Sequence, residues 1–311
     1  MKRLQELTRI DTRLVVRDFA DPALAAALAE TEVLITGWGC PHIDADVLTA
    51  MPRLRTVLHA AGSVRHLIGE AFWRRGLAIS SAAQANALPV AEYALSAILL
   101  AGKAAFTLSQ RYRLDQDRPG ATDIAALGNL GRRVGVIGAS RVGRRLLELL
   151  QPFDLEVSLH DPYVDDATAV ALGAVPLPLD DLLRGSDIVT LHAPDTAETY
   201  RMLDRARLAL IPDGGVLVNT ARGNLVDHEA LTDELVSGRI SAILDVTEPE
   251  PLPAGSPLFH LPNVFLTPHI AGSLGNELER LGRVVVEELE RLATGLPLVH
   301  EVRQADLATS A

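Results

Sequence analysis

One cysteine stands in the whole 311-residue chain. Cys40 has no partner for an intrachain disulfide, and its simplest role is that of a small packing residue. Long apolar runs are also missing. The richest stretch, Tyr93 to Phe106, is interrupted by Lys103 and is too short to span a bilayer. The basic start Met1-Lys-Arg has no apolar segment behind it, so no signal peptide is expected. These absences make the cytoplasm the expected compartment. Positive charge is in deficit: 29 Lys and Arg face 40 Asp and Glu, a net charge of −11. The mean field repels nucleic acid and anionic membranes, and neither is expected as a partner. The histidines show no spacing of the H-E-x-x-H kind, so no metal site is expected. Repeats and low-complexity segments are absent.

What is present is the alternation of an α/β protein. The length allows two domains with real cores, and a hydrophobic content of 48% is ordinary for a globular protein. A first block carries strand-like runs at Leu14–Phe19, Val33–Gly37 and Leu54–Ala60, with helical stretches such as Pro22–Glu30 between them. A long helix is expected from about Pro89 to Leu108, then a polar loop over Arg111–Thr122. A second block opens at Arg133 and carries strand signals at 156–160, 187–192, 215–220, 240–246 and 264–268. Leu278, Leu281, Val285, Leu289 and Leu292 then mark one face of a helix ended by Gly295, and 301–311 reads as a loose tail. Strands alternating with helices imply parallel sheets.

Ligands of open parallel sheets bind outside the carboxyl ends of the strands. Arg222, Glu250 and His269 each lie just past one of the last three strand-like runs. A guanidinium matches a carboxylate as a planar fork. An imidazole exchanges protons near neutral pH, and a carboxylate beside it fixes which ring nitrogen faces the substrate. Such a set suits redox chemistry on a 2-oxo or 2-hydroxy acid. Taken singly, each residue has a plainer explanation: a surface ion pair, an exposed loop acid, a turn.

Earlier in the same block, Gly138-Ala-Ser-Arg-Val-Gly143 sits between a strand and a helix. It approximates the dinucleotide fingerprint G-x-G-x-x-G, with Ser140 at the middle glycine; a small side chain still fits, and its hydroxyl can donate to a phosphate. Asp161, at the end of the next strand, is placed to accept from the ribose hydroxyls. A 2′-phosphate about 4 Å from that carboxylate would be repelled by on the order of 4 kcal/mol per charge pair. NAD is therefore expected rather than NADP.

These segments together resemble the D-isomer-specific 2-hydroxyacid dehydrogenase family. The matching stretches are Asn86–Glu92, Val134–Gly143, Leu191–Pro194, Asn219–Asp227, Leu244–Pro251 and Leu266–Gly272, in family order. The resemblance implies two Rossmann-like, doubly wound domains, the nucleotide domain (102–274) being inserted into a discontinuous substrate domain (1–101 and 275–311). It implies an active site in the cleft and a homodimer formed through the nucleotide domains. Arg222 then corresponds to the substrate-gripping arginine, His269 to the acid/base and Glu250 to its partner. The cofactor set becomes Gly138, Ser140, Arg141, Val142, Gly143, Asp161, His192, Ala193, Pro194, Thr199, Thr220, Ala221, Asp245 and Gly272. Asp245 corresponds to the acid that contacts the nicotinamide carboxamide, although a purely structural role stays open. Gly62, Ser63, Val64, Arg65 and Asn86, with Arg222 and His269, form the substrate set, the backbone N–H groups of 62–64 holding the carboxylate.

Departures from the family bear on the substrate. Relatives that bind phosphorylated acids carry arginines in the loop that here reads Thr36-Gly-Trp-Gly-Cys-Pro-His42. A small or apolar distal end is therefore expected, and 3-phosphoglycerate is the alternative, with Arg65 as partial counter-charge. No extra regulatory domain is expected after the last helix, unlike the long phosphoglycerate enzymes. Thr247 replaces an aromatic common two residues after the aspartate. The reading of another class is an NAD(H)-sensing binding protein similar to the C-terminal-binding corepressors; the acidic surface favours the enzyme.

Overall fold

The computed structural model describes residues 2–308. The chain divides into two compact units, one holding the described residues up to Asn86 and from Ser273 onward, the other Ala87–Gly272. Their boundaries lie at 86/87 and 272/273, against expected positions of 101/102 and 274/275. Among the described residues no single helix is long and apolar enough to cross a membrane; Ala83–Ala101 and Ala105–Asp115 meet the length and composition only as a pair bent by 54°.

The larger unit is built on a seven-stranded sheet, β4 (Arg132–Ile137), β5 (Leu155–His160), β6 (Val175–Pro176), β7 (Ile188–Leu191), β8 (Val216–Asn219), β9 (Ser241–Leu244) and β10 (Val264–Leu266). The order is β10-β9-β8-β7-β4-β5-β6, and every pairing is parallel. Chain order reverses between β4 and β7, which makes a switch point of the doubly wound kind at their carboxyl ends. Side chains alternate between two apolar layers as the pleat requires. Val189, Leu217, Ala242 and Leu244 pack with Leu182, Leu208 and Leu235 on one face. Ile188, Val218 and Ile243 pack with Ala94, Ile98, Leu146 and Leu150 on the other. Burial on both faces is why these strands read as continuous apolar runs.

The smaller unit has a three-stranded parallel sheet, β1 (Val33–Thr36), β2 (Thr56–His59) and β3 (Ala78–Ser81), in that order. The expected strand at Leu14–Phe19 does not form. Asp11 and Asp18 capture the N–H groups of Arg13 and Ala20 in local turns, and Val15 is exposed. The third strand is instead Ala78-Ile-Ser-Ser81, whose one β-branched residue, Ile79, is too little to give a β signal among alanine and serines. The segment 301–311 is not loose over its described part. Glu301 bridges antiparallel to Ser80, and Val302 N–H donates to the Ile79 carbonyl at 2.8 Å. Val302 and Leu307 pack on the core of this unit, so the exposed edge of β3 is covered.

Two helix expectations also shift. The long helix runs Ala83–Ala101, with Pro89 inside it, and breaks at Gly102–Ala104 before a second helix, Ala105–Asp115, which takes in the start of the expected loop, 111–115. A Cβ on Gly102 would lie 1.8 Å from the Asn129 side-chain oxygen, so a larger residue there would have to push that side chain aside. The helix Leu278–Ala293 buries Leu281, Val285 and Leu289 as its spacing predicts, while Leu278 is exposed. It also buries Glu288, which accepts from Val299 N–H at 3.1 Å and His300 N–H at 2.5 Å, holding the segment that covers β3.

Candidate active site

The glycine loop follows β4 at the switch point. Gly138 has φ +97°, and a Cβ there would lie 2.5 Å from the Ala193 nitrogen, so the loop after β7 can approach only a glycine. A Cβ on Gly143 would lie 2.0 Å from the Gly138 carbonyl, which fixes how closely the helix Arg141–Leu150 packs on the strand. Ser140 is that helix's N-cap, its Oγ accepting from Gly143 N–H at 3.4 Å. The serine thus substitutes for glycine with a capping function, and the hydroxyl proton remains available to an acceptor. Arg141 and Val142 form the first helical positions, where N–H groups and the helix dipole favour an anion.

Asp161 reaches this loop from β5. One carboxylate oxygen accepts from Ala139 N–H at 2.7 Å and the other from Tyr163 N–H at 2.8 Å. After β7, His192 is buried, and Thr190 Oγ1 meets its Nε2 at 2.8 Å. Burial pulls its pKa down to about 3, so the ring is neutral at physiological pH. Thr199 Oγ1 donates to the Pro194 carbonyl at 2.6 Å, closing the loop that starts at Ala193. Thr220 and Ala221 follow β8 directly, and Gly272 closes the unit. Among the described residues, His192 Nδ1 and Thr220 Oγ1 are buried polar atoms without a partner in the chain. Unpaired buried polar groups at the carboxyl rim suit a site whose ligand supplies the partners. The residues fit a dinucleotide.

The three candidate catalytic residues leave adjacent strands of this same sheet. Asn219, Leu244 and Leu266 are level in the register of β8, β9 and β10, so Arg222, Glu250 and His269 emerge from one rim. Asn219 shapes the first exit. Its amide donates to the Arg222 carbonyl at 2.8 Å, and its oxygen accepts from Ala221 N–H at 3.0 Å. Arg222 is exposed, with one guanidinium nitrogen donating to the Ala221 carbonyl at 2.6 Å. A Cβ on Gly223 would lie 2.1 Å from the Thr247 backbone, so glycine there lets the loops after β8 and β9 cross.

His269 Nδ1 and Glu250 Oε1 are 2.6 Å apart, with both side chains about half exposed at 50% and 42%. A carboxylate only accepts, so Nδ1 carries the proton and Nε2 is left for exchange with a substrate. His269 has φ +55°, a left-handed conformation that costs a non-glycine residue on the order of 1 kcal/mol. Its N–H donates to the Asp245 and Thr267 carbonyls at 2.9 and 3.0 Å. The Asp245 carboxylate is buried and accepts from Thr267 Oγ1 at 2.6 Å, Ile270 N–H at 2.8 Å and Ala271 N–H at 2.9 Å. Asp245, expected as a cofactor contact, also anchors the loop that carries His269. Thr247 Oγ1 donates to the Pro249 carbonyl at 2.9 Å, a local bond that the commoner aromatic could not make.

The substrate candidates sit in the smaller unit, after β2. Among the described residues, the N–H groups of Gly62, Ser63 and Val64 find no acceptor in the chain. Ser81 Oγ donates to the Gly62 carbonyl, turning the loop's carbonyls away from that row of donors. Asn86 accepts from Ser273 N–H at 2.9 Å, with its amide beside Gly62. Arg65 donates to the Leu307 carbonyl, so the C-terminal segment holds its guanidinium. His42 Nδ1 donates to the His66 carbonyl at 3.0 Å and ties the Thr36–His42 loop to this one. Cys40 is half buried, burial pushes its thiol pKa up, and Trp38 is exposed.

Reading the sequence alone missed Asn219 as the brace of Arg222, and Thr267 and Tyr93 behind His269. Asn219 and Thr267 lie inside recognised motifs; Tyr93 carries no local signal, because its partner is remote in sequence.

A profile described as the NAD-binding domain of D-isomer-specific 2-hydroxyacid dehydrogenases matches residues 97–271. The chain belongs to that family. It is 34% identical to D-3-phosphoglycerate dehydrogenase of Mycobacterium tuberculosis over 276 residues, 88% of this chain and 51% of the relative. The chain thus spans about half the length of the phosphoglycerate dehydrogenases it matches. It is 31% identical to glyoxylate reductase of Korarchaeum cryptofilum over 79% of this chain and 75% of the relative. The crystal structure of D-lactate dehydrogenase from Aquifex aeolicus, complexed with NAD and lactic acid, superposes with a TM-score of 0.74 at 25% identity, covering 94% of this chain and 91% of that one. NAD is the cofactor that the family's domain and the glycine loop indicate.

Proposed function

We propose that this chain is an NAD-dependent D-2-hydroxyacid dehydrogenase, working as a 2-oxoacid reductase or in reverse, with His269 as its acid/base. The observation that carries this is the 2.6 Å pair of His269 Nδ1 and Glu250, delivered with Arg222 to the same sheet edge as the glycine loop. NADH, when bound, supplies the hydride. Gly138–Gly143 and Asp161 hold it, with Arg141, Val142, His192–Pro194, Thr199, Thr220, Ala221 and Gly272 around it. A phosphate on the 2′-hydroxyl would meet the Asp161 carboxylate, so NAD is preferred to NADP.

Arg222 pairs with the substrate carboxylate as a fork. His269 Nε2 donates a proton to the carbonyl oxygen as negative charge builds there, and recovers it when the reaction runs in reverse. Glu250, accepting from Nδ1–H, keeps that tautomer and steadies the imidazolium. The N–H groups of Gly62, Ser63 and Val64 serve the substrate carboxylate, and the smaller unit is the substrate domain. The working form is a cytoplasmic homodimer joined through the nucleotide domains.

The substrate is a small 2-oxo or 2-hydroxy acid with an uncharged distal end. Thr36–His42 contains no arginine, and Arg65 is bound to the Leu307 carbonyl. Both observations count against 3-phosphoglycerate, the substrate named for the longer relatives. NADH oxidation followed by absorbance across glyoxylate, hydroxypyruvate, longer 2-oxo acids and 3-phosphohydroxypyruvate tests this. A preference for the phosphorylated acid overturns the substrate reading, and silence across the panel overturns the enzyme. His269→Ala is expected to lower kcat by about 10²–10⁴-fold while NADH still binds; unchanged turnover removes His269 from the mechanism.

A further inference from the structure

His269 does not stand on its own loop unaided. Tyr93, on the helix Ala83–Ala101, places its hydroxyl 2.7 Å from Thr267 Oγ1, and Thr267 Oγ1 lies 2.6 Å from Asp245 Oδ1. The direction of these bonds follows from chemistry. The Asp245 carboxylate is an acceptor, so the single Thr267 proton points to it, and the Thr267 oxygen must accept from Tyr93. Asp245 then holds the N–H groups of Ile270 and Ala271, while its own carbonyl accepts from His269 N–H at 2.9 Å. Hydrogen bonds arranged head to tail polarise one another, and each link depends on the one before it.

We infer that Tyr93 and Thr267 are positioning residues, the outer links of a directed hydrogen-bond chain, Tyr93 to Thr267 to Asp245, that sets the imidazole of His269. The assignment rests on the reading of His269 as the acid/base. Three features point to positioning rather than packing alone. The chain ends on the residue whose carboxylate and carbonyl together bind 269, 270 and 271. His269 occupies a left-handed backbone conformation that the loop would relax if released. Asp245 is buried, so a lost donor cannot be replaced freely by water. Burial raises the Tyr93 pKa, keeping the phenol protonated as the chain requires.

The test compares Thr267→Val, Thr267→Ser and Tyr93→Phe by steady-state kinetics and by amide hydrogen exchange at Ile270 and Ala271. Thr267→Val keeps the side-chain shape and removes the donor to a charged acceptor. Its expected effect is a fall in kcat of roughly tenfold to a hundredfold with KM for NADH nearly unchanged. Tyr93→Phe removes the outer, neutral link, with an expected fall of about two- to tenfold. Thr267→Ser keeps the hydroxyl and restores turnover. Exchange at 270 and 271 accelerates in the same order. Unchanged exchange in Thr267→Val, or a serine variant as impaired as the valine variant, overturns the inference. Should the wild-type protein turn over no 2-oxo acid, the functional reading fails by itself, and the order of exchange rates alone decides whether the chain sets the loop.

Discussion

Among the described residues, each unit buries one carboxylate that accepts two backbone N–H groups from a later segment. In the larger unit Asp245 holds Ile270 and Ala271; in the smaller, Glu288 holds Val299 and His300. The device is the same, but its surroundings differ. Asp245 also accepts from a hydroxyl chain and steers a residue in a strained conformation. Glu288 secures a segment that covers a sheet edge. A buried, fully hydrogen-bonded acid is therefore no mark of chemistry by itself. What it orders decides its role.

The sharpest test of this contrast is Asp245→Ala. Removing the carboxylate strands two N–H groups and the Thr267 hydroxyl, and releases His269. We expect kcat to fall by about 10²-fold or more, an effect of catalytic-group size without deletion of a catalytic group. Steady-state assay with NADH measures it, and a variant with near-normal kcat would reduce Asp245 to the level of Glu288.

Glu288→Ala should act in the opposite sense. The N–H groups of exposed Val299 and half-buried His300 lose a charged acceptor, at a cost of about 1–3 kcal/mol to the smaller unit. Both tryptophans, Trp38 and Trp73, belong to that unit, so their fluorescence reports its melting alone. The expected result is a lower transition in tryptophan fluorescence with NADH affinity retained. Loss of NADH binding in the folded variant would mean that Glu288 serves more than its edge segment.

The same contrast explains what could be read from the sequence. The middle of the large sheet was legible because β7, β8 and β9, buried on both faces, are largely apolar runs with motif residues beyond their carboxyl ends; the two-residue edge strand β6, Val175–Pro176, half exposed, carried no such signal. Arg222, Glu250 and His269 needed only that rule. Ala78–Ser81 was not legible, because a strand with a single apolar β-branched residue, Ile79, gains its stability from neighbours, and Leu14–Phe19 mimicked a strand while aspartates turned it. Asp245 was visible in its motif, yet its commitment to Ile270 and Ala271 depends on a turn that β10 delivers. Glu288 reads as one more charge on an amphipathic helix, since the N–H groups it accepts from lie past the helix end. Periodicity reports which face is inside; it does not report which backbone groups wait there.

A buried histidine in each unit carries the contrast into pH dependence. His59 in the smaller unit meets Thr36 Oγ1 at 2.8 Å through Nδ1, and burial lowers its pKa to about 4. His192 in the larger unit is lowered to about 3 for the same reason. In the unfolded chain both titrate near 6.5, so below that pH the unfolded state binds protons that the folded state refuses. Stability is thus complete above pH 6.5. It declines as pH falls from there toward about 4 for His59 and about 3 for His192. Each loss is a few kcal/mol over its window, at about 1.4 kcal/mol per pH unit per group. Urea unfolding between neutral pH and pH 4.5, followed by tryptophan fluorescence, should report the His59 loss, and His59→Gln should flatten that slope. Circular dichroism, which also sees the larger unit, should retain the His192 slope in the same variant. Parallel slopes by both probes in His59→Gln would show that the two units do not lose stability separately.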